Sequence, residues 1–189
     1  HPCSENGNNW PATKLDKVGP IYFILAMAAN GNPDVPKADQ LELANQDAEN
    51  FAQVMREYFA PAVVCLLKDV GFTEFESALT RLAELAQVED KVFVYFSGHG
   101  MTKENRWCEK GRECKEIDCL NEGLVMFYGD ASQVKQVFDR DFVELVNKIQ
   151  TTRPITIFLD TCFAGGMVRG EKNVEPGFQE AKPKNFVKE

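Results

Sequence analysis

The chain has 189 residues, 44% of them apolar, and a formal net charge of −8. That length and composition suffice for one domain with a sizeable core. No basic stripe is available to neutralise phosphates, and no apolar run approaches the roughly 20 residues a membrane-spanning helix needs, so neither nucleic acid nor membrane is an expected partner. The acidic balance leaves room for a basic ligand. The chain begins at His1 without a signal-peptide pattern, which reads as a processed product or a fragment.

Residues 1–18 are polar and turn-rich and read as a loosely held N-terminal arm. Pro20 to Ala26 is an apolar run expected to form a first buried strand, followed by a Gly-, Asn-, Pro- and Asp-rich loop over 30–40. Ala48, Phe51, Ala52, Met55 and Phe59 then recur at helical spacing. Pro61 ends that helix and opens a short strand from Val63 to Leu67. Thr73-Glu-Phe-Glu76 has the form of a capping box and starts a second helix, with Phe75, Leu79, Leu82 and Leu85 inward. A third strand, Val92 to Phe96, runs into Ser97-Gly98-His99-Gly100. Residues 101–122 are charged and lack periodicity, so a long surface loop is expected there. Gly123 to Tyr128 reads as a short strand, and Asp139 to Ile149 as a helix with Phe142, Leu145, Val146 and Ile149 inward. The last strand, from Pro154 to Asp160, delivers Thr161-Cys162 and then Gly165-Gly166.

Strands that alternate with helices and are apolar throughout predict an α/β fold with a mostly parallel sheet covered on both faces. Sites in such sheets lie at the carboxyl ends of the strands. His99 and Cys162 both fall there, and apart from His1 the chain has no other imidazole. A thiol is mostly protonated at neutral pH and needs a base, or a histidine that stabilises its thiolate, before it attacks a carbonyl. The competing reading is a core histidine and an unrelated buried cysteine, but a Gly-His-Gly triplet is a poor place for a packed core residue. No Gly-rich phosphate loop follows the first strand, which argues against nucleotide binding. Of the other cysteines, Cys65 lies in the apolar run Ala62 to Leu67 and reads as a buried thiol. Cys3, Cys108, Cys114 and Cys119 lie in polar segments and could form two disulfides or stay reduced; their spacing does not suit zinc.

Ser97-Gly98-His99-Gly100, followed later by Asp160-Thr161-Cys162 and Gly165-Gly166, resembles the histidine and cysteine motifs of the caspase-like cysteine peptidases: caspases, metacaspases and paracaspases. The resemblance implies a caspase-like three-layer sandwich with its catalytic large-subunit domain over residues 19–166. Residues 167–189 would then be a polar tail or intersubunit linker. It implies a cysteine endopeptidase with a His99/Cys162 dyad and an oxyanion hole formed by the backbone N–H groups of Gly98 and Cys162. Asp160 stands where metacaspases and paracaspases carry an acid and Asp-specific caspases carry Gln, which implies cleavage after Arg or Lys. Asp47 and Ser97 match the two further positions of that basic pocket, although an acid at a helix start is equally suited to the macrodipole.

No cofactor is implied beyond calcium activation, for which the matching acids lie between Asp118 and Glu122 and in Asp139-Arg140-Asp141; Arg140 opposes a cation there. Family members also use a small subunit or domain that adds strands, and the polar residues after Cys162 offer none. That gap motivates a second reading, a catalytically weak caspase-like module acting as a scaffold or regulatory partner. The resemblance points to the cytoplasm, whereas paired disulfides would point to secretion.

Overall fold

The computed structural model describes residues 2–4, 8–16, 19–30, 40–104, 120–128 and 130–162. Its centre is β1, Tyr22–Ala29, which is buried from Phe23 onward because both faces of the strand are covered. Phe23, Leu25 and Met27 enter one apolar cluster, while Ile24, Ala26 and Ala28 enter another. This two-residue alternation is what a strand with helices on both sides requires.

β2 (Ala62–Leu67), β3 (Lys91–Gly98) and β7 (Thr156–Asp160) join β1 in a four-stranded sheet of order β2-β1-β3-β7. Every pairing in it is parallel. α1, Ala44–Tyr58, covers one face through Ala44, Ala48, Ala52 and Met55. Three alanines at the contact let the helix axis approach the strands closely, and Ala26 and Ala28 make room from below. α2, Phe72–Leu85, covers the opposite face beside α3, Asp139–Val146. Phe75 of α2 meets Phe96 of β3 edge to face at 6.2 Å and Phe142 of α3 at 6.2 Å, tying the two helices to the sheet. The chain is therefore a three-layer α/β structure with helices on both faces of a parallel sheet.

Asp90 is a buried carboxylate that fixes how β3 starts. It accepts hydrogen bonds from the backbone N–H groups of Ile21, at 2.9 Å, and Gln87, at 2.8 Å. Those two donors lie just before β1 and just after α2, so one side chain sets the entry of neighbouring strands.

Several expectations need correction. The N-terminal arm is not loosely held in its described part. Cys3 forms a disulfide with Cys65 of β2, and Trp10 is buried with its ring edge-on to Phe23. Cys65 is buried in apolar surroundings as expected, but it is oxidised rather than a thiol. Connectivity between positions 62 residues apart depends on the path of the arm, which local sequence does not encode. The pairing also removes Cys3 from the expected group of four; Cys108, Cys114 and Cys119 lie outside the described residues.

The second helix begins after Gly71 rather than at Thr73, with the Glu74 carboxylate accepting from the Gly71 N–H at 3.2 Å. The capping glutamate is thus Glu74 rather than Glu76, two residues earlier than the motif suggested. β4 (Gly100–Glu104), β5 (Leu120–Tyr128) and β6 (Asp130–Phe138) form a separate antiparallel sheet where a surface loop was expected around β4 and the start of β5. The Gly123 to Tyr128 part of β5 was expected as a strand; β4 and the start of β5, which carry Lys103, Glu104 and Glu122, show too little apolar alternation to announce themselves. Residues 105–119, the remainder of that expected loop, lie outside the described residues.

Candidate active site

β3 and β7 run parallel with Ser97 opposite Asp160. Two residues further along each chain stand His99 and Cys162, so the register carries the imidazole and the thiol out at the same edge of the sheet. Both are half-buried, and Cys162 is outside any disulfide. The His99 carbonyl accepts a hydrogen bond from the Val125 N–H at 2.9 Å, which ties the turn after β3 to the antiparallel sheet. Gly100 opens β4 against Leu124 of β5.

The turn carrying Cys162 packs directly on Gly100. A Cβ at position 100 would lie 2.9 Å from the Cys162 carbonyl carbon and 3.0 Å from the Thr161 hydroxyl oxygen, and would overlap the Cys162 carbonyl oxygen. Glycine is required at position 100 by the chain's own cysteine turn. Thr161 donates its hydroxyl to the Cys162 carbonyl at 3.1 Å, bracing the same turn. Gly98 answers to a different constraint: a Cβ there would lie 2.8 Å from the Phe96 ring.

The acids expected of a substrate pocket gather beside this pair. Strand alternation puts Tyr95, Ser97, Phe158 and Asp160 on the α1 face of the sheet. Ser97 is buried, Asp160 is exposed, and Asp47 is half-buried in the first turn of α1. Tyr95 lies among them with its hydroxyl 3.5 Å from an Asp160 carboxylate oxygen. Its phenol is pushed up to about 12, first by burial and then by the negative charge of Asp160, with Asp47 adding to it. One phenol thus senses a carboxylate from α1 and another from β7. Phe51, one helical turn after Asp47, stacks on the Tyr95 ring at 4.5 Å and leans on Phe158 at 5.3 Å.

Sequence reasoning singled out Asp47, Ser97 and Asp160 but missed Tyr95. The signal was available, because residues 95, 97 and 99 alternate onto one face and a tyrosine interrupts an otherwise aliphatic and phenylalanine strand. Of the acids considered for calcium, Asp139 and Asp141 occupy the first turn of α3, where the helix dipole favours them, and Asp139 accepts from the Arg140 N–H at 2.7 Å. Glu122 lies in β5 opposite Thr102, and Asp118 is outside the described residues. Among the described residues no three acids, histidines or cysteines group closely enough to hold a metal ion.

A parallel sheet that ends a histidine turn and a cysteine turn side by side defines a caspase-type framework, and the comparisons agree. The caspase domain model, peptidase C14, matches residues 30–187, and the chain belongs to that family of cysteine peptidases. Metacaspase-6 of Arabidopsis thaliana is 33% identical over 91 residues, which spans 48% of this chain and 22% of that protein. The chain therefore matches about a fifth of that relative's length, and the likeness places it nearer the metacaspases within the family. Protein GSU0716 of Geobacter sulfurreducens has the same fold, with a TM-score of 0.57 at 20% identity, over 76% of this chain and 51% of that one.

Proposed function

We propose that this protein is a cysteine endopeptidase in which Cys162 attacks the scissile carbonyl and His99 handles the protons, with selectivity for Arg or Lys before the cleaved bond. The observation that carries the reading is the packing of the Cys162 turn on Gly100, next to His99, at the carboxyl end of paired parallel strands. In the first step the Cys162 thiol passes its proton to His99, and the sulfur bonds to the carbonyl carbon as the C=O π pair moves onto oxygen. The N–H groups of Gly98 and Cys162 are the expected donors to the oxyanion. His99 then gives a proton to the departing amine, leaving a thioester. Water, losing a proton to His99, hydrolyses the thioester and restores the thiol.

Basic selectivity draws support from Asp160, Asp47 and Ser97 around Tyr95. A carboxylate pairs bidentately with a guanidinium. Asp160 is exposed in the free chain, so removing its charge should weaken transition-state binding of a basic substrate by about 1 kcal/mol for a solvated pair, and by more only as far as the substrate buries it. A small subunit or domain completing the substrate groove belongs to the proposal. Among the described residues β7 pairs only with β3, and Phe158 on it is 40% exposed.

The test is labelling of the full-length protein with a peptide electrophile that carries Arg at the position before its reactive group. Covalent mass on Cys162, lost in Cys162→Ala and in His99→Ala and much reduced in Asp160→Asn, is the expected result. Equal labelling of His99→Ala would remove the dyad. Preference for an Asp-bearing probe would remove the basic pocket. No labelling by either probe would favour the scaffold reading.

A further inference from the structure

We propose that Tyr95 is a specificity residue whose hydroxyl accepts a hydrogen bond from the basic side chain bound at Asp160, and that it favours Arg over Lys. The inference rests on the basic-pocket reading above. Its starting point is a geometric mismatch. The Tyr95 hydroxyl faces an Asp160 carboxylate oxygen at 3.5 Å, beyond the roughly 2.5–3.0 Å of a strong O–H···O bond.

The gap does not close easily, because the ring is held on both axes. Phe51 stacks on it at 4.5 Å with an interplanar angle of 14°, and Phe51 is itself braced by Phe158. Tyr95 is also buried at its base beneath α1, in the cluster with Ala26, Ala48 and Ala52. A hydroxyl fixed in this way pays little ordering entropy when a ligand arrives.

The chemistry of the gap suits a planar fork. A phenol has one donor and two acceptor lone pairs, whereas an ionised carboxylate only accepts. A guanidinium that binds Asp160 through one edge still has N–H groups to place. The Tyr95 oxygen stands beside the carboxylate at a spacing one guanidinium can bridge, accepting an N–H while directing its own proton toward Asp160. A lysine ammonium is a compact point charge with three donors, and carboxylates such as Asp160 and Asp47 satisfy it without the phenol. The raised phenol keeps its proton throughout the neutral range, so the hydroxyl does not add a third negative charge.

The experiment compares wild-type full-length protein with Tyr95→Phe on two peptides that differ only in Arg or Lys at the cleaved position. Iodoacetamide alkylation of Cys162 serves as a control on the dyad. The expected result is a rise in KM for the Arg peptide with kcat little changed. Its kcat/KM should fall roughly tenfold, as for loss of one hydrogen bond to a charged group. The Lys peptide should change much less and alkylation not at all. An unchanged Arg-to-Lys ratio in a variant of an enzyme that does cleave after Arg overturns the inference and leaves the basic pocket standing. Equal losses on both peptides with slowed alkylation also overturn it, since that is the mark of a structural role. If wild-type protein cleaves after neither residue, the basic pocket and the inference fall together. Because Tyr95→Phe could fold poorly, a second measurement uses wild-type protein with carbon-labelled tyrosine. Agmatine, a small guanidinium, should shift the Tyr95 ring signal more than butylamine does; equal shifts, or none, overturn the proposal.

Discussion

Gly100 and Cys162 meet backbone to backbone: a side-chain carbon on Gly100 would come within 2.9 Å of the Cys162 carbonyl carbon. Backbone at this spacing has no flexible end to swing aside, so Gly100→Ala must displace the turn that presents the thiol. A displacement of about 1 Å in a reacting group can cost roughly a hundredfold in rate. We expect Gly100→Ala to lose peptidase activity on that order and to lower the melting temperature as well, because the neighbour that must give is the backbone of the cysteine turn. Gly98→Ala should cost less stability than Gly100→Ala, because the atoms it meets first are the far end of the Phe96 ring, which can tilt aside more readily than backbone. Parallel melts and fluorogenic assays of the two variants check this, and matched effects at both positions would contradict it.

The Cys3–Cys65 disulfide closes a loop of 62 residues in sequence separation. Chain-entropy arguments give such a crosslink roughly 4 kcal/mol of stabilisation, and removing native disulfides typically costs about 2–5 kcal/mol. Cys3→Ser should therefore shift the denaturant midpoint strongly downward. Mass mapping of unreduced protein should link the Cys3 and Cys65 peptides and leave Cys162 open to alkylation. Alkylation of all six cysteines without reductant would refute the pairing.

Asp90→Ala should be among the most damaging substitutions remote from the site. It strands the buried N–H of Ile21 and the part-buried N–H of Gln87 without their shared acceptor. Each lost hydrogen bond to a charged group is worth about 1.5–3 kcal/mol. Urea unfolding should show the loss, and a change within about 0.5 kcal/mol would mean that the neighbouring backbone finds other acceptors.

Tyr95 supplies a pH prediction. Its phenol titrates near 10.0 when exposed and is raised to about 12 in the fold, chiefly by burial and then by Asp160. Between those values the unfolded chain has released the proton and the folded chain still holds it. Unfolding then releases a proton, so stability falls as pH rises from 10 toward 12, and this contribution is fully present below pH 10. Spectrophotometric titration should find one of the four tyrosines ionising late. Tyr95→Phe should abolish that late step and flatten the alkaline loss of stability.

The sequence made the central layer legible because buried parallel strands are written as uninterrupted apolar runs. Phe23 to Ala26, Val92 to Phe96 and the run into Asp160 could be placed without structural help, and the residues that follow the last two pointed to His99 and Cys162. The strand ends were less legible: β1 continues through Ala28 and Ala29, whose small side chains carry little strand signal yet are needed under α1. Of the β4–β5–β6 sheet only the Gly123 to Tyr128 part of β5 was legible, because the pairing of the rest is set by partners, such as Leu124 opposite Gly100, rather than by local pattern. Cys65 was correctly read as buried, but burial alone does not reveal a bond to Cys3. Tyr95 was passed over because aromatic residues in core strands are ordinary; only the approach of Asp160 to its hydroxyl gives it another meaning.

The arm along β2 has one more consequence. Asn8 and Asn9 turn their side-chain amides onto the outer edge of that strand. The Val64 N–H donates to Asn9 at 2.6 Å, the Leu66 N–H donates to Asn8 at 2.7 Å, and the Asn8 amide donates to the Leu66 carbonyl at 3.1 Å. An unoccupied edge strand is a template on which any extended peptide can add itself. Here two asparagines stand in for the backbone such a peptide would offer, and the crosslink at Cys65 holds them there. The two edges are thereby unlike: β2 is capped by its own arm, whereas among the described residues β7, beside the cysteine, pairs only with β3.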